Sequence, residues 1–346
     1  MDKESVLRVG IVGCGYQGGI LAQAVRNSQS FKVVACADPD REAANKLASD
    51  SGSAAIFESV ERLLAGSDVD VVFVATPHHL LAPTSVAAIR AGKHVLGEKP
   101  IGLTEAEAIQ IEKAVARAHV CFEAGYSFRY LPAWQRAHEL LSAGAVGEIV
   151  AMTGVFSLPA MSKGWKAKPE TGGGPLLFIG VHVIDQMLWY AAADAVEVFA
   201  HVSRRTDTKA DETSAFQIRF ANGVEAQCIV SQTSPALMYK LDILGRAGRI
   251  SLNTIGGLEH EIVVQSAALS EFAQPTTIRP SLDGDIRMVK HGAQLAAFAA
   301  IIREKREPPI TVGDGRKVLK VFDAILRSGE TGKPVQLTLA DRLDDS

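Results

Sequence analysis

The sequence predicts two architectures in succession: a doubly wound parallel α/β domain, then an α+β domain whose sheet is mostly antiparallel. Three observations carry this. Over residues 1–124, short β-branched runs alternate with helical patterns. Beyond them, longer strands follow one another across turn signals with no helix between. Helical periodicity then returns at His291. Short apolar strands separated by helices call for a parallel sheet covered on both faces. The expected division is therefore 1–124 and 125–346, with the last helices packing back on the first domain.

The elements follow in order. Strands are expected at Leu7–Val12, Phe31–Ala37, Val69–Ala75, His94–Leu96 and Val120–Phe122. Helical patterns lie at Ile20–Val25 and Arg41–Ala48, then at Pro83–Ala91, where Pro83 suits a first helical turn. Thr104 with Glu107 three residues on is a capping box that opens Glu105–Ala118. In the second half, strands are expected at Ile149–Phe156, Val196–Arg204, Glu212–Phe220, Gly223–Ser231 and Met238–Leu244, with Asn222-Gly223 as a hairpin turn. Helices are expected at Ala133–Leu141, Leu176–Tyr190 and His291–Arg303. A last one, Arg316–Arg327, carries Val318, Leu319, Val321, Phe322, Ile325 and Leu326 on one face, with Gly329 as its stop.

Composition removes several functional classes. The chain of 346 residues has 36 basic and 39 acidic side chains and is 47% hydrophobic, which excludes a disordered or collagen-like polymer. A net charge of −3 offers no basic surplus for a nucleic-acid backbone. The longest stretch without Asp, Glu, Lys or Arg, Val71 to Ile89, holds two prolines, two histidines and three hydroxyl residues, so no membrane partner is expected. Cys14, Cys36, Cys121 and Cys228 form no CxxC pair, and the N-terminus does not read as a signal peptide. A reducing, cytoplasmic setting is the expectation.

Strand Leu7–Val12 runs into Gly13-Cys14-Gly15-Tyr16-Gln17-Gly18 and then a helix, which is GxGxxG in the context that gives it meaning. Gly13 permits the tight turn. Gly15 lets a pyrophosphate approach the backbone, and Gly18 lets helix and strand close up. The helix N-terminus offers free N–H groups and a positive dipole end. Asp38, 20 residues after Gly18, can accept both ribose hydroxyls of an adenosine. The expected ligand is a dinucleotide. Asp38 would repel a 2′-phosphate and so favours NAD; Arg41 beside it keeps NADP open.

Ala75-Thr76-Pro77 and His79 follow the strand at Val69–Ala75, and Gly97-Glu98-Lys99-Pro100 follows the next. Strand ends of a doubly wound sheet border one crevice, so Ala75, Thr76, Pro77, His79, Glu98 and Lys99 join the cofactor candidates. His78 and His79 have no carboxylate or cysteine at ligand spacing, and no metal is expected.

At this point the sequence resembles the glucose–fructose oxidoreductase / inositol dehydrogenase / MocA (Gfo/Idh/MocA) family. The resemblance rests on Gly13–Gly18, Asp38-Pro39, Ala75-Thr76-Pro77, Ala91-Gly92-Lys93-His94-Val95 with Glu98-Lys99-Pro100, Gly125 through Arg129, Gly144–Ile149, Gly172-Gly173-Gly174, Gly180 through Asp185, and Arg327 through Val335. It covers nearly the whole chain. It implies a Rossmann domain joined to a substrate-binding domain with a large open antiparallel sheet, often the oligomer interface. A homodimer or homotetramer through that sheet is the corresponding expectation. It implies hydride transfer between a nicotinamide and a secondary alcohol or ketone of a sugar, sugar derivative or cyclitol. By the same resemblance, Lys99 contacts the reacting hydroxyl and the nicotinamide ribose, and His182 sits by the substrate as acid/base.

The family commonly places an aspartate four residues before this histidine, and here that position is Phe178. Phe178, His182, Asp185 and Trp189 are spaced to share one helical stripe. Two readings stand. In one, Lys99 and His182 suffice and Phe178 forms an apolar wall for a ring. In the other, the site has lost its chemistry and the protein only binds a dinucleotide. A third, with bound NAD returning its hydride each cycle, is also consistent with these residues. Tyr126 and Arg129 at the domain junction, and Trp165 in the Gly/Lys/Pro-rich loop Met161–Gly174, complete the substrate candidates.

Overall fold

The computed structural model describes residues 5–159, 163–255, 259–282 and 284–338. The first stretch runs β1 (Leu7–Val12), α1 (Tyr16–Arg26), β2 (Phe31–Ala37), α2 (Arg41–Asp50), β3 (Ala55–Phe57), α3 (Val60–Gly66), β4 (Val71–Val74), α4 (His78–Arg90), β5 (His94–Glu98), α5 (Glu105–Ala118) and β6 (Phe122–Gly125). There follow α6 (Pro132–Ser142), β7 (Ile149–Ser157), α7 (Val181–Ala191), β8 (Ala195–Arg204), β9 (Asp211–Phe220), β10 (Glu225–Ser231) and β11 (Met238–Gly245). Last come β12 (Gly248–Ile255), β13 (Glu259–Ser266), β14 (Thr276–Ile278), α8 (Ile286–Glu304), α9 (Val312–Thr331) and β15 (Val335–Gln336).

These elements form two compact units, residues 1–131 with 282–319, and residues 132–281 with 320–346. In the first, six strands lie in the order β3-β2-β1-β4-β5-β6, all parallel. This is the doubly wound order in which the chain reverses direction between β1 and β4. Its core gathers Leu7, Val9, Phe31 and Phe73 from the strands with Leu295, Phe298 and Ile302 of α8. Phe31 stacks on Phe298 at 6.5 Å.

The strands Leu7–Val12 and Phe31–Ala37 and the start of α2 fall where the sequence places them. So does α5, because Thr104 Oγ1 accepts the Glu107 N–H at 3.2 Å and Glu107 Oε2 accepts the Leu103 N–H at 2.6 Å. Two helix ends differ. The helix expected from Pro83 begins at His78, since Pro77, with its φ of −52°, already sits at the end of the preceding turn. Pro83 lies inside α4 and forfeits one bond, to the carbonyl a turn back. The strand expected to stop at Leu96 continues to Glu98. Gly97 there is a packing residue: a Cβ on it would stand 2.8 Å from the Phe122 ring.

The second unit holds nine strands in the order β14-β13-β12-β11-β7-β10-β9-β8-β15. Every neighbouring pair is antiparallel except β7 with β10. Asn222-Gly223 makes the β9–β10 turn, with Gly223 at a φ of +85°. One face of the sheet lies under α7; the Cβ position of Gly154 in β7 is 2.9 Å from Met187 Cε and 3.1 Å from Val183 Cγ2. The other face exposes Ile229, Met238 and Leu244. Gly329 does not stop α9, which continues to Thr331 before Gly332 at a φ of +67°. Gly329 serves packing, since a Cβ there would lie 2.6 Å from Val202 Cγ2 of β8. Among the described residues no helix is long and apolar enough to cross a membrane.

Candidate functional site

The glycine loop joins β1 to α1. Gly13 has a φ of +94°, and a Cβ on it would approach the Ala75 carbonyl oxygen to 2.5 Å. A Cβ on Gly18 would collide with the Gly13 carbonyl oxygen, so these glycines let the loop, α1 and the end of β4 close up. At Gly15 nothing lies within 4 Å of the Cβ position. Gly15 is also the N-cap of α1 and supplies no side-chain acceptor. The Gly15 side of the loop is thus open and no N-cap side chain occupies the first N–H groups of α1, as an approaching anionic pyrophosphate requires.

Asp38 follows β2 directly. Its Oδ2 accepts the Cys14 N–H at 2.7 Å and its Oδ1 accepts the Asp40 N–H at 2.8 Å. The carboxylate is thus oriented by the loop it accompanies. Asp40 caps α2, and Arg41 is the exposed first residue of that helix. Two acids stand before one arginine where an adenosine ribose would sit. Across β1, Thr76 Oγ1 and His79 Nδ1 are buried atoms with no hydrogen-bond partner among the described residues. Both lie past the end of β4, beside Pro77. Open space at Gly15 and two polar atoms awaiting partners fit a bound dinucleotide.

At the end of β5, Glu98 Oε1 accepts from Gln17 Nε2 at 2.6 Å, and Glu98 Oε2 accepts the Lys99 N–H at 3.2 Å. Burial pushes the Glu98 carboxyl up, while Lys99, Lys290 and Gln17 oppose the shift. Gln17 also meets His291 Nε2 at 3.3 Å. His291 Nδ1 lies 3.4 Å from Gln294 Oε1, and Gln294 donates to Glu123 Oε1 at 3.3 Å. Tyr130 donates to the same Glu123 oxygen at 2.7 Å. One polar chain therefore runs from the glycine loop through α8 to Tyr130. Burial raises Glu123 to about 7 and lowers His291 to about 3. Lys290, over the Phe128 ring at 4.9 Å, is lowered by burial to about 8 against the pull of Glu98.

Tyr16, the first residue of α1, is 72% exposed and accepts from Arg287 at 3.2 Å. Tyr126 is fully buried. Arg129 is also buried and bonds Asp314 at 3.1 Å and the Pro309 carbonyl at 3.5 Å, within the first unit. The sequence reading missed Glu123, Lys290, His291 and Gln294. The adjacent basic pair near the start of α8 was the visible signal; the burial of Glu123 had none.

The second unit carries the other candidates. The loop expected from Met161 begins outside the described residues, and its described part starts at Lys163. Trp165 is half-buried in a short turn, Gly164–Ala167. Lys166 Nζ stands 5.7 Å from the Trp165 ring and 4.7 Å from the Phe178 ring. Burial lowers its pKa. An ammonium over two aromatic faces is an attractive contact, strengthened as water is removed. Phe178 belongs to a π turn, Leu176–Gly180, that leads into α7. A π turn takes more than four residues per revolution, which keeps Phe178 on the face His182 occupies one turn later. His182 is 7% exposed, with the Phe156 ring 6.5 Å away. Asp185 and Gln186 beyond it are buried. Trp189 stacks on His138 of α6 at 4.3 Å.

Comparison with known proteins agrees with this geometry. Residues 7–126 match the model of the oxidoreductase family with an NAD-binding Rossmann fold, and residues 134–251 match that of the GFO/IDH/MocA C-terminal domain. Inositol 2-dehydrogenase 1 from Saccharopolyspora erythraea is 26% identical over 97% of this chain and 98% of its own. The 1,5-anhydro-D-fructose reductase of Ensifer adhaerens is 27% identical over 88% of this chain and 91% of its own. Among solved structures, GenD2 from gentamicin A biosynthesis, in complex with NAD, superposes with a TM-score of 0.86 at 25% identity, covering 98% of both chains. With the glycine loop, the Glu98-Lys99-Pro100 strand end and the two sheets all in their expected places, this chain belongs to the Gfo/Idh/MocA oxidoreductase family.

Proposed function

We propose that the protein is an NAD-dependent dehydrogenase or reductase acting on a secondary alcohol or ketone of a sugar, sugar derivative or cyclitol. The observation that carries this reading is the Gln17–Glu98 bond of 2.6 Å, which ties the strand end bearing Lys99 to the glycine loop. It joins the residue next to Lys99 to the loop that would hold the dinucleotide, which supports a role for Lys99 beside the cofactor. Similarity to proteins named for inositol and 1,5-anhydro-D-fructose supports the substrate class.

NAD, when bound, supplies the hydride acceptor or donor. Gly13, Gly15, Tyr16, Gln17 and Gly18 would receive its diphosphate, Asp38 and Arg41 its adenosine ribose, and Ala75, Thr76, Pro77, His79 and Glu98 its nicotinamide half. The oriented Asp38 carboxylate and neighbouring Asp40 favour NAD; Arg41 leaves some NADP use. Lys99 orients the reacting oxygen. His182 takes the alcohol proton during oxidation, a task suited to an imidazole near neutral pH. Phe178 and Trp165 offer apolar faces to the C–H side of a ring, with Lys166 held between them. Tyr126 and Arg129 remain substrate candidates, both buried and Arg129 already bonded to Asp314.

His182→Ala is expected to cut turnover by ~10²–10⁴-fold while NADH affinity stays within about twofold. The assay is NADH formation over a panel of polyols that includes myo-inositol and levoglucosan. Full activity in the variant removes His182 from the chemistry. Phe178 in the place of the family's acid favours a second reading, a dinucleotide-binding sensor without turnover, which would give neither product nor NADH. An enzyme that returns the hydride to substrate each cycle would give product without net NADH.

We place the protein in a reducing, cytoplasmic compartment, a reading supported by four free cysteines. We also propose a homodimer or homotetramer through the open sheet face. Ile229, Met238 and Leu244 there are each 45–49% exposed, and a second copy would remove that apolar surface from water.

A further inference from the structure

One buried carboxylate in the second unit meets both segments that carry the substrate-side candidates. Asp211 opens β9 and is 5% exposed. Its Oδ2 accepts the Leu176 N–H at 2.7 Å. Leu176 begins the π turn that holds Phe178 and leads to His182, so this bond satisfies one of the free donors at the start of that helical run. Its Oδ1 lies against Gly174, whose φ is +111°; a Cβ on Gly174 would collide with that oxygen. Gly174 and Gly173 are fastened in turn to the Trp165 loop. The Gly174 N–H donates to the Lys166 carbonyl at 3.1 Å, and the Gly173 N–H to the Lys168 carbonyl at 2.8 Å. The Phe178 N–H returns to the Gly174 carbonyl at 3.1 Å.

Burial raises Asp211 to about 6, so at neutral pH it is ionised and its bond to Leu176 is charge-assisted. Arg204, its register partner on β8, bonds Glu330 at 3.1 Å and the Lys209 carbonyl at 3.3 Å. The carboxylate is therefore committed to the backbone at the Gly174–Leu176 corner.

We propose that Asp211 is a positioning residue for the substrate side of the reaction. It pins the Gly172–Leu176 corner, and through that corner fixes the Trp165–Lys166 loop over Phe178 and the start of the helix bearing His182. It touches neither substrate nor cofactor. The proposal rests on the assignment of Phe178 and His182 to the site, and its test has one arm that is independent of that assignment.

That arm is hydrogen exchange on the full-length protein near neutral pH. Asp211→Ala is expected to speed exchange of the 164–182 segment by about 10-fold or more, the loss of a hydrogen bond to a charged acceptor, with the rest of the nine-stranded sheet unchanged. Asp211→Asn keeps an acceptor oxygen for Leu176 and is expected to restore slow exchange. Gly174→Ala, which displaces the carboxylate from the other side, is expected to reproduce the Asp211→Ala pattern if that variant does not fold. Unchanged exchange in both Asp211→Ala and Gly174→Ala, or Asn behaving like Ala, overturns the proposal. The second arm is kinetic, on the panel polyol that wild type turns over best. KM is expected to rise about 10-fold in Asp211→Ala and recover in Asn, with NADH affinity constant. A fall in kcat at unchanged KM together with unchanged exchange of the 164–182 segment would mark a general loss of folded enzyme and overturn it. If wild type turns over no polyol, the functional reading fails and the exchange arm still decides the role of Asp211.

Discussion

Gln17 donates to Glu98 across 2.6 Å, joining the first turn of α1 to the end of β5. The two residues lie 81 positions apart, yet the bond couples the loop for the diphosphate to the lysine meant for the reacting oxygen. Gln17→Ala leaves a buried carboxylate with one donor fewer. A hydrogen bond is worth about 0.5–1.5 kcal/mol, so NADH affinity should fall up to ~10-fold as the loop loses its tie to the strand end. A fluorescence titration with NADH measures this, and unchanged affinity would show that the link is incidental.

Gly18 is sterically obligatory. Gly18→Ala drives a Cβ into the Gly13 carbonyl, and overpacking of this kind costs about 1–3 kcal/mol. Thermal melts should show the loss, and NADH binding should weaken together with stability. Gly15→Ala makes the contrast. Its Cβ meets no protein atom, so the fold should hold while dinucleotide affinity falls.

Asp38 should set the choice of cofactor. Asp38→Ser removes the charge that repels a 2′-phosphate and leaves Arg41 beside it. NADPH affinity should rise and NADH affinity fall by about 10-fold, the worth of a charge-assisted bond. Parallel titrations with both cofactors provide the check, and an unchanged ratio would move the discrimination elsewhere.

Glu123 predicts an unusual pH dependence of stability. Its carboxyl titrates near 7 in the folded protein, against an ordinary value of 4.5. Between those values the folded state holds a proton that the unfolded state has released, so this group's contribution to stability falls as pH rises through the window. The accumulated cost above pH 7 is about 3 kcal/mol, from 1.36 kcal/mol per unit. Glu123→Gln keeps an oxygen for Tyr130 and Gln294 and removes the charge. It should be stabilised at pH 8 and near wild type below pH 4.5, which urea melts at the two ends would show. His291 acts with the opposite sign: it titrates near 3, and its contribution declines as pH falls below 6.5.

Much of the fold is legible in the sequence because it is locally determined. Leu7–Val12 and Phe31–Ala37 are β-branched runs bounded by turn residues, and Thr104 with Glu107 marks the start of α5 by its own hydrogen bonds. The misread points are decided by distant partners. Gly97 looks like a strand breaker until the Phe122 ring is seen against it, and Gly329 looks like a helix stop until Val202 is. The strands Ala55–Phe57 and Thr276–Ile278 are too short to carry a period. Within the site, the glycine loop was legible because backbone geometry demands glycine there, and the Glu98-Lys99-Pro100 segment because it ends a strand and resembles the family's. Glu123 and Asp211 were not, since nothing local distinguishes a buried carboxylate from a solvated one.

The first unit closes its core with α8: Leu295, Phe298, Ala299 and Ile302 pack with Leu7, Phe31 and Phe73. Synthesis runs from the N-terminus, and domains generally fold as they emerge. Here the nucleotide-binding sheet is made first but lacks part of its core until residue 302 has left the ribosome. During that interval the face of Phe31 that will stack on Phe298 remains open. Eight strands of the second unit, β7 to β14, are made before α8 can complete the first unit's core, and only β15 follows it, so the sheet begun first is not the one whose strands can pair first.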